Sequence, residues 1–150
     1  MIARPLTRSH VLHVAERAPR QNQSQMGLVL SSLPVYTMPG RGLALLDGGD
    51  VYAVTGLAPL WDGVAEAWFL PTKDMRQKKI QTVRLVRREL DAAIERLKLH
   101  RVQAVVRSDF VDAHKLAKFL GFQSEGTMKK YGPDGSDYER YAKWLNRSHS

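Results

Sequence analysis

The chain has no cysteine, which excludes disulfides, thiolate metal sites and a cysteine nucleophile together. It is short of acid: 15 Asp and Glu stand against 23 Lys and Arg, giving a net charge of +8 and a pI near 10.0. Long apolar runs are missing. Nothing approaches the roughly 20 apolar residues that a membrane span needs, and residues 1–20 lack the apolar core of a secretory signal. Aromatics are 8% of the chain and do not interleave with the basic residues. Without that stacking surface or a nucleic-acid fold motif, direct nucleic-acid binding is not favoured. There is no internal repeat and no low-complexity segment. These absences fit a protein of the cytoplasm, or of a virion, with no membrane partner.

What is present is enough for one domain over residues 1–150, with 43% hydrophobic residues to fill a single core. Residues 2–6 read as a first strand, and Thr7 as the N-cap of a helix through Val11, Leu12, Val14 and Ala15. A second short helix is expected over 26–33. Two strand-like stretches, 42–46 and 50–57, flank Asp47-Gly48-Gly49 and read as a hairpin. Residues 59–63 read as a loop, and 64–70 as a strand that stops at Pro71. The longest helix comes next, with Ile80, Val83, Val86, Leu90, Ile94 and Leu97 at steps of three and four.

The positive charge is uneven: residues 73–101 carry ten basic residues against Asp74, Glu89, Asp91 and Glu95. Most of these belong to the solvated face of the long helix, but Arg76, Lys78 and Lys79 sit at its start. A basic surface speeds encounter with polyanions, whether nucleic acid, acidic protein or a phosphorylated cofactor. His10 and His13 stand at i, i+3, a spacing a metal tolerates, with no cysteine near them in sequence to complete a site. Trp61 and Trp68 read as core or cleft wall.

The most informative stretch begins with the strand 101–107. A short helix comes after it, with Ala113, Leu116, Ala117 and Leu120 on one face, and ends in Leu120-Gly121-Phe122. A hairpin closes the chain, from 123–131 through Gly132-Pro133-Asp134-Gly135 to 137–145. Strand, helix ending in Leu-Gly-Phe, then hairpin resembles the C-terminal half of the GNAT superfamily of acyl-CoA N-acyltransferases. The wording Gly121-Phe122-Gln123-Ser124-Glu125-Gly126, with Tyr131-Gly132-Pro133-Asp134-Gly135 after it, is similar more narrowly to GNAT-like proteins of tailed phages and prophages.

That resemblance implies an α/β fold, with a mixed central sheet, splayed parallel strands at 64–70 and 101–107, and flanking helices. It implies acetyl-CoA as donor, with the cofactor against Phe69 and Leu70 and its phosphates on Arg76, Gln77, Lys78, Lys79, Ile80 and Gln81. The family writes this phosphate loop Arg/Gln-x-x-Gly-x-Gly/Ala; here Arg76 matches, and Lys79 and Gln81 replace both small residues. Glu66, in mid-strand, is the expected base. The family's tyrosine acid has no counterpart at its usual position, which Ala117 occupies, leaving Tyr131, Tyr138 or Tyr141 of the last hairpin and His114 as candidate catalytic groups. The acceptor cleft falls to 26–36 and 129–137. Two functions stay open: acetyl transfer to an amine of a small molecule or protein, a host protein included, or a non-catalytic role as a virion component or host-protein binder.

Overall fold

A two-residue turn of glycine or asparagine types between alternating sequences is the strongest local instruction for a hairpin, and this chain contains two. Gly48 and Gly49, at φ +60 and +89, turn strand β2 (Gly42–Asp47) into β3 (Asp50–Trp61). Asp62 and Gly63, the latter at φ +82, turn β3 into β4 (Val64–Pro71). The loop expected over 59–63 is therefore not a loop. Pro59 ends no strand: β3 continues through it to Trp61, and the chain reverses in two residues. Trp61 stands at that tip, 70% exposed rather than in a core, while Trp68 is buried.

The computed structural model describes residues 1–19, 22, 34 and 37–146; the helix expected over 26–33 lies outside them. Seven strands form one mixed sheet in the order β1-β2-β3-β4-β5-β7-β6. The remaining strands are β1 (Ile2–Pro5), β5 (Arg101–Arg107), β6 (Gln123–Met128) and β7 (Tyr138–Trp144). Three α-helices are present among the described residues: α1 (Arg8–Arg17), α2 (Lys79–Arg96) and α3 (Val111–Phe119). The chain divides into two compact units, Met1–Ala58 with Trp68–Leu90, and Pro59–Ala67 with Asp91–Ser150.

In the first unit, β1 pairs antiparallel with β2 and β2 with β3. Helix α1 buries Val11 and Val14, three residues apart, against Ala44, Val54, Trp68 and Leu70. Its N-terminus is closed by a capping box: the Thr7 hydroxyl accepts from the His10 N–H, and His10 Nδ1 accepts from the Thr7 N–H at 3.0 Å. The histidine is thus spent on the helix end, and no group of three or more metal-ligating residues occurs among the described residues.

In the second unit, β4 and β5 run parallel as expected, paired at Val64–Arg101, Ala65–Val102 and Glu66–Gln103, a ladder over three of the eight residues of β4. Parallel strands need a long crossover, which the segment carrying α2 supplies. Strand β7 inserts between β5 and β6. Helix α3 ends as its sequence directs: Gly121 takes φ +93, the Phe122 N–H returns to the Ala117 carbonyl at 3.0 Å, and Phe122 is buried. Strand β6 is an edge strand with exposed residues and a bulge between Ser124 and Gly126. It stops at Met128 rather than at 131, because Lys130 adopts φ +55 and its N–H turns to Asp137 Oδ1 at 2.9 Å.

Two outcomes are expected for stability. A Cβ at Gly63 would meet the His100 ring, and the Gly63 carbonyl accepts the N–H groups of His100 and Arg101 at 2.8 and 3.1 Å. Gly63→Ala is expected to cost about 2–3 kcal/mol, from the left-handed backbone and the displaced ring. It is measured as a lower urea midpoint at unchanged m; an unchanged midpoint refutes the account.

The second outcome concerns His10. Burial, then the charge of His13, lowers its pKa from the ordinary 6.5. The unfolded chain takes up that proton near 6.5 while the folded one resists it. Stability is therefore full above 6.5 and falls as pH drops below it through the lowered folded value. His10→Gln keeps the capping-box geometry and should flatten that part of the pH profile; identical slopes for both proteins between pH 7.5 and 5.5 would exclude His10 as the source.

Candidate active site

Cross-strand register puts Glu66, Gln103 and Ala142 in one row on one face of the sheet. A carboxylate in that position, with a side chain only 25% exposed, needs partners. Arg140 Nη1 donates to both its oxygens, at 3.2 Å to Oε1 and 3.1 Å to Oε2, and Gln103 Nε2 donates to Oε2 at 2.9 Å. The network continues outward: Arg101 Nε donates to Gln103 Oε1 at 3.0 Å, and the Arg101 guanidinium grips Glu125 with both terminal nitrogens at 2.6 and 3.1 Å. That bidentate grip lowers the pKa of Glu125 and raises that of Arg101. A carboxylate offers about four lone-pair positions. Two donor nitrogens make three contacts with Glu66, two at Oε2 and one at Oε1, so Oε1 keeps one open acceptor position.

The opposite face of β7 carries Glu139 and Tyr141. Tyr141 is buried, and burial, then its hydrogen bond to Glu139, pushes its hydroxyl up to about 12. That same bond, before all else, lowers the pKa of Glu139. His114 on α3 completes the group, with Nδ1 2.7 Å from the Tyr141 hydroxyl. His114 Nε2 lies 3.1 Å from the carbonyls of both Arg107 and Ser108. Two carbonyl neighbours require that Nε2 carry a proton and donate it. Both ring nitrogens are therefore engaged: His114 fastens the start of α3 to the end of β5 and to β7.

Tyr131 stands apart from this group. It lies between β6 and β7, 53% exposed, its ring 5.5 Å from that of Tyr138. The turn after it is self-contained. Asp134 Oδ1 accepts from the Ser136 N–H and hydroxyl, which hold its carboxyl below the usual range. Asp134 Oδ2 also lies 3.3 Å from Arg107 Nη1, and Lys129 Nζ lies 3.7 Å from Asp137. The rim at 129–137 is mixed in charge; on the other expected side, 26–33, 35 and 36 lie outside the described residues.

The expected cofactor segment belongs to the first unit. Phe69 is half-buried and Leu70 fully buried on β4. Thr72 anchors the chain just beyond β4, donating through N and Oγ1 to the Tyr52 carbonyl at 2.9 and 3.1 Å. Arg76, Gln77 and Lys78 lie in a 3₁₀ turn (Lys73–Lys78), and Lys79, Ile80 and Gln81 form the first turn of α2, so this stretch is helical rather than an open loop. Lys79 takes φ −56 and ψ −51, an ordinary helical conformation, so the backbone does not demand the family's glycine there. Lys78 is partly spent on Asp47 at 3.2 Å. Arg76, Lys79 and Gln81 are exposed.

Sequence reasoning singles out Glu66 and names Tyr141 among the hairpin tyrosines, but gives no sign of Arg140, Gln103 or Glu139. No local signal marks an ion pair whose partners are 74 residues apart.

The sequence matches no protein-family model and no curated protein. Its structure does resemble solved ones. Ard1 from Thermoplasma volcanium superposes with a TM-score of 0.76 at 16% identity, over 97% of this chain and 98% of that one. The ribosomal-protein-alanine N-acetyltransferase from Brucella melitensis gives 0.72 at 17% identity, over 97% and 100%. A mutant spermidine N-acetyltransferase from Vibrio cholerae gives 0.71 at 16%, over 96% and 95%. At these identities the likeness is one of fold, and that fold is the GNAT N-acetyltransferase fold.

If Arg140 is what makes Glu66 tolerable in the sheet, Glu66→Gln and Arg140→Gln should not be additive. A double-mutant cycle read by urea unfolding is expected to give a coupling of about 1–2 kcal/mol. A coupling near zero would mean that solvent, not Arg140, satisfies the carboxylate.

Proposed function

We propose that the protein is an acetyl-CoA-dependent N-acetyltransferase acting on a primary amine of a protein or small molecule. The observation that carries this reading is Glu66: a half-buried carboxylate held by Arg140 and Gln103 with one oxygen position open, in a chain with the GNAT fold. The wording around Gly121 favours the phage and prophage branch, hence host cytoplasm as the setting and a host protein among the acceptors.

The residues fit an acyl-CoA donor in chemistry. Arg76 and Lys79 offer exposed cations beside backbone N–H groups of the 3₁₀ turn and the first turn of α2, where an anion is favoured. Arg76, Gln77, Lys78, Lys79, Ile80 and Gln81 would hold the phosphates, and Phe69 would line the acyl arm, with Leu70, its side chain buried in the core, offering only its backbone. The donor, when bound, supplies an activated acetyl thioester. Glu66 takes the proton from the acceptor amine at Oε1, while Arg140 and Gln103 keep the carboxylate from rotating. Tyr131, exposed and not enclosed by the Glu139 network, is the group assigned to protonate the leaving thiolate. His114 enters as a positioning residue through Tyr141 and the end of β5.

One observation favours the non-catalytic reading, a virion component or host-protein binder: Lys79 and Gln81 carry side chains where the family keeps the backbone bare. Calorimetry with acetyl-CoA separates the two. Binding that Arg76→Glu abolishes, together with a roughly 10²–10⁴-fold loss of turnover in Glu66→Gln at nearly unchanged donor affinity, is expected of the enzyme. No heat at millimolar acetyl-CoA refutes it, and unchanged turnover in Glu66→Gln removes the base.

A further inference from the structure

The two terminal nitrogens of Arg140 are served unequally. Nη1 donates to both oxygens of Glu66, at 3.2 and 3.1 Å. Nη2 turns to β6, where its one partner among the described residues is the thioether sulfur of Met128, at 3.8 Å. The side chain is only 22% exposed, so water does little to make up the difference. A thioether is a weak acceptor, and a charged donor rewards a strong one most. Nη2 is therefore a charged nitrogen whose partner barely answers it.

Strand register makes the pairing. Gly126 stands opposite Arg140 and Met128 opposite Tyr138, so Met128 and Arg140 are diagonal neighbours on one face. Leucine would fill the same space, and what methionine adds there is a sulfur that can be oxidised. Access comes from the opposite direction to Arg140. Met128 ends β6, an edge strand whose other residues, Gln123 to Thr127, are exposed, and Met128 itself is partly exposed. A small oxidant reaches the sulfur from the open edge while the guanidinium holds its place on the β7 side.

We propose that Met128 is a reversible oxidation site for peroxides, and that Arg140 Nη2 holds the sulfoxide oxygen once it forms. The sulfur lone pair turned away from Arg140 attacks one peroxide oxygen, so that an S–O bond forms and the O–O bond breaks. The departing oxygen leaves as hydroxide and takes the proton of the sulfur-bound hydroxyl, giving sulfoxide and water. Sulfur gives up two electrons and the peroxide gains them. Rotation about the Cγ–Sδ bond then turns the new oxygen toward Nη2, where the 3.8 Å gap to sulfur leaves room for it. Oxidation of a methionine ordinarily unsettles its surroundings by making an apolar side chain polar. Here the polar group arrives beside a donor that lacks an acceptor. The guanidinium is planar and rigid, so a stronger pull on Nη2 is felt at Nη1, and the hold on Glu66 changes with the oxidation state of Met128. The inference stands whether or not Glu66 serves as a base.

The test follows the full chain before hydrogen peroxide, after it, and after the two epimer-specific methionine sulfoxide reductases. Peptide mass mapping reads which of the five methionines gain oxygen, and urea unfolding reads the consequence. Met128→Leu, treated in parallel, gives the contribution of the other four. Met128 is expected to gain one oxygen and to lose it to the reductases. Beyond the contribution of the other four, oxidation should leave the wild-type urea midpoint unchanged or raised. It should lower the midpoint of Arg140→Gln, whose shorter amide does not reach the new oxygen. Should Arg140→Gln alone not fold, Glu66→Gln with Arg140→Gln removes both charges and takes its place. The proposal is overturned if Met128 stays unoxidised while Met38, 40% exposed, is fully converted. It is equally overturned by the same midpoint shift with and without Arg140, or by an oxidised Met128 that the reductases do not restore.

Discussion

Taking a carboxylate out of water costs several kcal/mol unless donors replace the water it leaves. Glu66 imposes that cost in the second unit, and residues on three other strands answer it. Arg140 comes from β7, Gln103 from β5, and Gln103 is aligned by Arg101, which Glu125 of β6 holds in turn. The register of β5 against both β4 and β7 brings Glu66, Gln103 and Ala142 into one row. A slip of one residue in either ladder would leave the carboxylate facing the wrong side without its donors. The same interactions that hold the strands in register therefore fix the orientation of the proposed base, so that local folding and chemical positioning are one requirement.

The features legible in the sequence are those with a local cause. Gly121 after an amphipathic stretch announces its own left-handed cap, and Phe122 its own burial. Ile80, Val83 and Val86 set the period of α2 without outside help. Asp47-Gly48-Gly49 closes its hairpin for the same reason. The loop expected at 59–63 fails for a reason that is equally local: Pro59 resembles punctuation, yet the instruction to reverse lies three residues later in Asp62-Gly63. Trp61 suggests a core by its apolar bulk alone, and the hairpin tip leaves it in solvent. Glu66 is visible as an acid among apolar neighbours. Arg140, its partner, is not, since nothing in a strand reading Tyr-Glu-Arg-Tyr says which row of which neighbour it will meet.

In the proposed function, Arg76 and Lys79 stand where backbone donors favour an anion, so side chain and main chain would act together on one small group with a defined shape.

Both edges of the sheet are closed to addition. β1 is four residues long and ends in Pro5, which has no N–H to offer. β6, at the other edge, carries a bulge around Glu125, between Ser124 and Gly126, with Gly126 at φ +117, and is followed by Lys129. An extended peptide cannot continue this sheet as an eighth strand without straightening that bulge. Under the proposed function, a polypeptide acceptor would therefore present its amine to a face or a rim, as a chain end or an exposed side chain. Self-association through strand pairing, the usual hazard of an open sheet, is blocked by the same two devices.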